Sequence, residues 1–226
     1  MCDVIFEDNQ ILVVVKPQNI PTQLDSSGDS DLLSQLKQYL VEKYNKPGQA
    51  YLGLVHRLDR PTGGVMVFAK TSKSAERLCK QIKTDEFEKT YFTVVNGTPR
   101  LKQSRLTNFL KKDEKNNIVK VCTQYEDGAK EAVLDYQVLE TVNNQSLVKI
   151  DLQTGRSHQI RVQMANIGCP VVNDVKYGDK NQKGKLALWA TVLKFNHPVT
   201  KQRLTYKVSP PSDQAPWKQF NIDKYL

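Results

Sequence analysis

The chain has 226 residues, with 33 Lys and Arg against 24 Asp and Glu and a formal net charge of +9. Its 39% hydrophobic and 25% charged content is that of an ordinary soluble globular protein with a full core, and the basic excess favours a polyanionic partner. Cys2, Cys79, Cys122 and Cys169 show no C-x-x-C pair and no His at metal spacing, which argues against a disulfide framework or structural zinc site and for a reducing compartment. No basic leader with a cleavage site opens the chain, and apolar runs such as Ile11 to Val15 are far too short to cross a bilayer. A cytosolic location is the expectation.

Val4 to Phe6 and Ile11 to Val15 read as two strands around the turn Glu7-Asp8-Asn9-Gln10. Pro17 and Pro21 then impose an extended loop, since proline has no amide donor and disfavours helix in the residue before it. The polar stretch Ser26 to Asp31 ends in a helix cap, and Leu32, Leu33, Leu36 and Leu40 follow at helical spacing to about Tyr44. Asn45-Lys46-Pro47-Gly48 stops that helix. Gly64 to Ala69 reads as a buried strand, and Thr71-Ser72 caps a helix across Ala75, Leu78, Cys79 and Ile82. Phe87 to Val95 is strand-like and ends at Asn96-Gly97. Leu101 to Lys120 reads as a loop rich in cations (Lys102, Arg105, Lys111, Lys112, Lys115, Lys120), a candidate phosphate-contacting segment or a solvated charged hairpin.

Ala132 to Val142 and Gln145 to Leu152 form a strand pair around Asn143-Asn144. Arg156 to Ile167 fits a helix with Ile160, Met164 and Ile167 as its apolar face, closed by Gly168 and Pro170. Leu186 to Phe195 and Arg203 to Val208 return to strand. Strands in runs with few helices between them give an α+β fold on a largely antiparallel mixed β-sheet flanked by helices and loops. No composition break divides residues 1–226, so the reading is a single domain.

The segment with chemical character is His56-Arg57-Leu58-Asp59-Arg60-Pro61-Thr62-Gly63-Gly64. Arginines on both sides of a carboxylate favour its ionised form, as a nucleophilic or electrostatic role requires. The glycines permit a sharp turn and close substrate approach. On charge pattern alone a loop salt bridge explains it as well; the whole ordered string is far more specific. It resembles the signature of the RluA-type family of RNA pseudouridine synthases. Glu88-Lys89-Thr90-Tyr91-Phe92-Thr93-Val94-Val95 and Leu152-Gln153-Thr154-Gly155-Arg156-Ser157-His158-Gln159-Ile160-Arg161-Val162-Gln163, continuing through Asn173-Asp174 to Tyr177-Gly178, are similar to two further motifs of that family, in the same order. Ile11 to Pro17 and Phe195-Asn196-His197-Pro198 fit as well. Gly63-Gly64 stands where Ser-Gly is common, with little effect expected because a small residue still permits the turn, and Trp189 and Gln163 stand where histidine is frequent, departures that bear on peripheral substrate contacts.

The resemblance implies an isomerase of uridine in structured RNA, ribosomal or transfer, with no cofactor, no metal and no protein partner, acting as a monomer without the family's N-terminal accessory RNA-binding domain. Asp59 is then the nucleophile, Tyr91 stacks on the flipped uracil and assists proton removal, and Arg161 is paired with Asp59. Arg57 fills the space left by the flipped base, with His56, Arg60, Arg156 and His158 also on the substrate. Thr154 to Ser157 would place a glycine, a capping hydroxyl and an arginine at a helix start, where anions are favoured. A rival reading is a non-catalytic RNA-binding module; an ionised carboxylate among arginines argues against it. A metal-dependent hydrolase on His56, Asp59 and His158 lacks a completing carboxylate cluster. Serine hydrolase chemistry lacks a G-x-S-x-G elbow.

Overall fold

The structure, a computed structural model, describes residues 2–84 and 86–226. Its contacts divide the chain into two compact units, Met1–Glu88 with Val192–Val208 and Lys89–Thr191 with Ser209–Leu226. Each unit is assembled from two separated stretches, so no linker composition marks the division in the sequence.

In the first unit β1 (Asp3–Glu7), β2 (Ile11–Lys16), β4 (Gly63–Ala69) and the later half of β10 (Leu188–Asn196) stand in that order, with β3 (Gly53–Leu54) on β4 and β11 (Arg203–Lys207) on β10. The pairings of β1 with β2, β2 with β4, and β10 with β11 are antiparallel. Ile11, Val13, Val65, Val67, Ala69, Leu78, Phe87, Leu193 and Phe195 form its core, each large side chain contributing roughly 1.5–3 kcal/mol by leaving water. Helix α1 (Leu32–Tyr44) begins at its sequence-predicted cap, Asp31, whose side chain accepts from the Ser34 amide, and ends at Asn45 in a left-handed conformation. Helix α2 (Ser72–Lys83) is capped by Thr71 in the same way.

Two polar knots close this unit. Glu7 receives the Lys43 and Lys70 ammonium groups, both at 2.7 Å, and the Tyr39 and Tyr44 hydroxyls, which ties β1 to α1 and to the end of β4. Burial raises the Glu7 carboxyl, but those four donors outweigh it and set the group at about 2. At the other knot, Asp8 accepts from the amides of Gln10 and Ile11 and, at 2.9 Å, from His197 Nε2. His197 Nδ1 accepts the Thr200 amide at 3.0 Å, which leaves the ring proton on Nε2. The Asn-His-Pro segment thus serves architecture.

In the second unit the order is β10 (its earlier half), β5 (Glu88–Asn96), β9 (Gln145–Leu152), β8 (Lys130–Val142), β6 (Gln103–Asp113) and β7 (Ile118–Cys122). β5–β9, β9–β8, β8–β6 and β6–β7 are all antiparallel. Asn143 and Asn144 both have positive φ, 49° and 56°, the turn that matches the twist of a two-residue hairpin. The cationic stretch read as a loop is the β6–β7 hairpin. Its apolar residues, Leu110 and Val119, pack with Ala132 and with Val162 of helix α3 (Gln159–Asn166).

Helix α3 is shorter than the sequence-predicted span from Arg156 to Ile167. Its N-cap is His158 at φ 52°, with no side-chain cap bond. Thr154 accepts from the Val133 amide and donates to Gln159 Oε1, so this threonine is bound to the strand and to the helix's first side chain instead of capping. The expected single apolar face is absent: Gln159 to Met164 are all buried, while Ile167 is half-exposed. Two turns enclosed against strands have no solvent face to pattern. No helix among the described residues is long and apolar enough to cross a membrane.

Candidate active site

The first unit carries the His56 to Gly64 segment. His56 Nε2 accepts the Val67 amide at 3.1 Å, and its ring meets Phe87 edge-on at 5.3 Å, so this histidine anchors the segment to β4. Gly64 has φ 121°, a conformation that side chains rarely adopt, which explains glycine at the entry to β4. Asp59 is half-buried, and Arg57 and Arg60 are exposed.

The backbone beneath Asp59 is held carbonyl by carbonyl. Thr22 Oγ1 donates to Leu58 O at 2.8 Å, the Thr62 amide to Asp59 O at 2.9 Å, and the Asn19 amide to Arg60 O at 2.8 Å. Gln18 Nε2 donates to Pro61 O at 2.9 Å, and Lys16 Nζ to Thr62 O at 2.8 Å. Five consecutive carbonyls thereby have donors, four from residues 16–22 and the Asp59 one from the Thr62 amide; the stretch 16–22 is not the extended loop expected but turns at Asn19, where φ is 67°.

Lys16 is the centre of this cradle. It is fully buried and also donates to Pro17 O and Arg60 O, both at 3.0 Å, so each ammonium proton meets a carbonyl. Burial pulls this lysine down to about 7; the Asp59 charge pulls upward and the Arg60 charge downward. Arg60 itself turns to the loop after Pro21, pairing with Asp29 and donating to Ser27 Oγ at 3.1 Å and Asn19 O at 3.2 Å.

The second unit carries the remaining sequence-predicted residues. Tyr91 lies on β5 opposite Ile150 of β9 and is buried. Arg156 is exposed, its Nε donating to Glu131 O at 2.8 Å. Arg161 is buried and forms a two-point ion pair with Asp174, Nε and Nη2 each at 2.7 Å, with its guanidinium carbon 5.1 Å from the Tyr177 ring centroid. His158 Nδ1 and the Tyr177 hydroxyl lie 2.7 Å apart. Gln163 is fully buried, and its amide nitrogen donates to Ala132 O and Asn108 Oδ1; it locks α3 to the strands and is out of reach as a peripheral substrate contact.

Sequence reasoning assigned no role to Lys16, Asp174 or Tyr177, although all three stand inside quoted motifs. A lysine ending an otherwise apolar strand was the signal for Lys16, because such a group stays in a core only when its donors are matched. Nothing local marks Asp174, whose partner is thirteen residues away. Among the described residues no group of three His, Cys, Asp or Glu is arranged to hold a metal ion.

A half-buried carboxylate thus stands on a fixed loop between two exposed arginines, in an α+β fold of net charge +9. A family model described as RNA pseudouridylate synthase matches residues 10–166, and the chain belongs to that family. It is an isomerase acting on RNA. The chain is 33% identical over 219 residues to an uncharacterized RNA pseudouridine synthase of Bacillus subtilis (strain 168), YlyB, with 94% of this chain and 70% of that protein covered. It is 30% identical over 223 residues to ribosomal large subunit pseudouridine synthase D of Zymomonas mobilis, covering 93% and 70%. Among solved structures, human RNA pseudouridylate synthase domain containing 4 superposes with a TM-score of 0.78 at 23% identity, over 92% of this chain and 88% of that one, a likeness of fold.

Proposed function

We propose that the chain converts uridine to pseudouridine in ribosomal RNA of the large subunit, with Asp59 as nucleophile. The observation that carries the role of Asp59 is the run of five held carbonyls from Leu58 to Thr62, with a buried lysine beneath. A nucleophile that must meet one atom of a flipped base needs a backbone that does not yield. The ribosomal target is supported by the Zymomonas relative, a ribosomal large subunit pseudouridine synthase D by name; transfer RNA is the other substrate that the same assay reads.

The target base leaves its stack before it can be reached. Arg57, exposed beside the nucleophile, takes the vacated space. Tyr91 stacks on the uracil and accepts the proton released when the carbon–carbon bond forms. Arg161 is the cation paired with Asp59, while His56, Arg60, Arg156 and His158 support substrate binding, His56 by fixing the loop. The uracil–ribose bond through nitrogen breaks and a bond through carbon replaces it, so the product is an isomer.

The test is turnover on total RNA from cells lacking the protein. The wild-type chain restores pseudouridine at specific positions. Asp59→Asn abolishes isomerisation while RNA binding stays within about threefold. Turnover by Asp59→Asn, or binding without any turnover by the wild-type chain, rejects the reading, the latter in favour of a non-catalytic RNA-binding module.

A further inference from the structure

Asp174 is 1% exposed and collects four donors: Arg161 Nε and Nη2 at 2.7 Å each, and the amides of Lys176 and Tyr177 at 3.0 and 3.1 Å. A buried ion pair is often replaceable by apolar residues without loss of stability, so stability gives no sufficient reason for it. What this one supplies is direction. With the Nε–Nη2 edge committed to Asp174 and the guanidinium over the Tyr177 ring, both the plane of Arg161 and the heading of its Nη1 edge are set. Tyr177 is fixed in turn: its hydroxyl accepts the Val119 amide of β7 at 2.8 Å and lies 2.7 Å from His158 Nδ1. Lys176 Nζ donates to Asn117 O at 2.7 Å, which joins the same turn to the tip of the β6–β7 hairpin.

We propose that Asp174 is a positioning residue for the isomerisation, acting through Arg161, with Tyr177 as the second half of the mount. This rests on the role given to Arg161 above. A cation that serves a carboxylate through attack and release acts best when it is already aimed, because reorienting it would add to the barrier at each step. Asp174 and the Tyr177 ring remove that reorientation.

Single-turnover rates and RNA affinity, measured with the full chain on total RNA from cells lacking the protein, test this. Asp174→Asn lowers the rate at saturating RNA about 100-fold, the loss that a small misplacement near the chemistry brings, while Kd stays within about threefold. A merely structural role lowers binding and active fraction together, so an equal loss of rate and affinity overturns the proposal, as does a wild-type rate. If Asp174→Asn does not fold, Tyr177→Phe, which keeps the ring and removes only the hydroxyl that meets the Val119 amide and His158 Nδ1, gives the hydroxyl's share, and Tyr177→Leu decides, since it keeps the ion pair and removes the ring. A rate about tenfold lower with unchanged Kd supports the mount, and an unchanged rate overturns it. Asp59→Asn runs alongside: turnover there removes the underlying reading, whereas loss there with a wild-type rate in Asp174→Asn removes this proposal alone.

Discussion

Lys16 shows how one buried side chain links folding to the active-site loop. In its charged form its three N–H groups satisfy the Pro17, Arg60 and Thr62 carbonyls, the last of them buried. Lys16→Met fills the volume but withdraws every donor, so stability falls by about 3 kcal/mol, measured by denaturant unfolding. The lysine also carries a pH signature. Its folded value, about 7, lies below the ordinary 10.5, so between those values the unfolded chain binds more protons than the folded one. Stability attributable to Lys16 therefore rises with pH across the window from about 7 to 10.5, by up to about 1.4 kcal/mol per pH unit. Wild-type protein shows this slope and Lys16→Met loses it; parallel pH curves for the two would contradict the assignment.

At the scale of elements, the β6–β7 hairpin joins structure to binding. Lys111 and Lys120 are direct cross-strand partners, a like-charge pairing that disfavours the hairpin unless an anion lies over it. Lys111 reaches Glu126 only at 3.9 Å. An RNA phosphate relieves this repulsion. Replacing both lysines with Gln should reduce the slope of log affinity against log salt by about 1.4 to 1.8, at 0.7–0.9 per phosphate contact; an unchanged slope would place the RNA elsewhere. The same hairpin marks a limit of sequence reading. Exposed cations, Lys111 and Lys112 in succession among them, interrupt the strand pattern, and of the hairpin's apolar residues only Leu110 and Val119 are buried. Helix α1 was legible to its end residues because Asp31, three buried leucines and Asn45 are all local signals. Helix α3 was not, because strands from elsewhere in the chain bury all of its residues from Gln159 to Met164. The site divides likewise. The string around Asp59 announces itself, whereas Lys16 and Asp174 take their meaning from partners 46 and 13 residues away.

For the whole molecule, the net charge of +9 and the chemistry around Asp59 belong to different steps, and salt should separate them. Phosphate contacts release counterions on binding, so affinity falls steeply as ionic strength rises. A half-buried carboxylate on a loop held by its backbone carbonyls and a buried arginine paired with Asp174 are screened less than exposed cations. Raising salt from about 50 to about 200 mM should therefore weaken RNA binding at least about tenfold. Over the same range, the single-turnover rate at saturating RNA should hold within about twofold. A rate that fell in step with affinity would mean that the exposed cations, Arg57 and Arg60 foremost, act in the chemical step itself. In that case neutralising Arg57 would abolish turnover at saturation. Under the present reading it weakens base flipping, and saturating RNA recovers part of the loss.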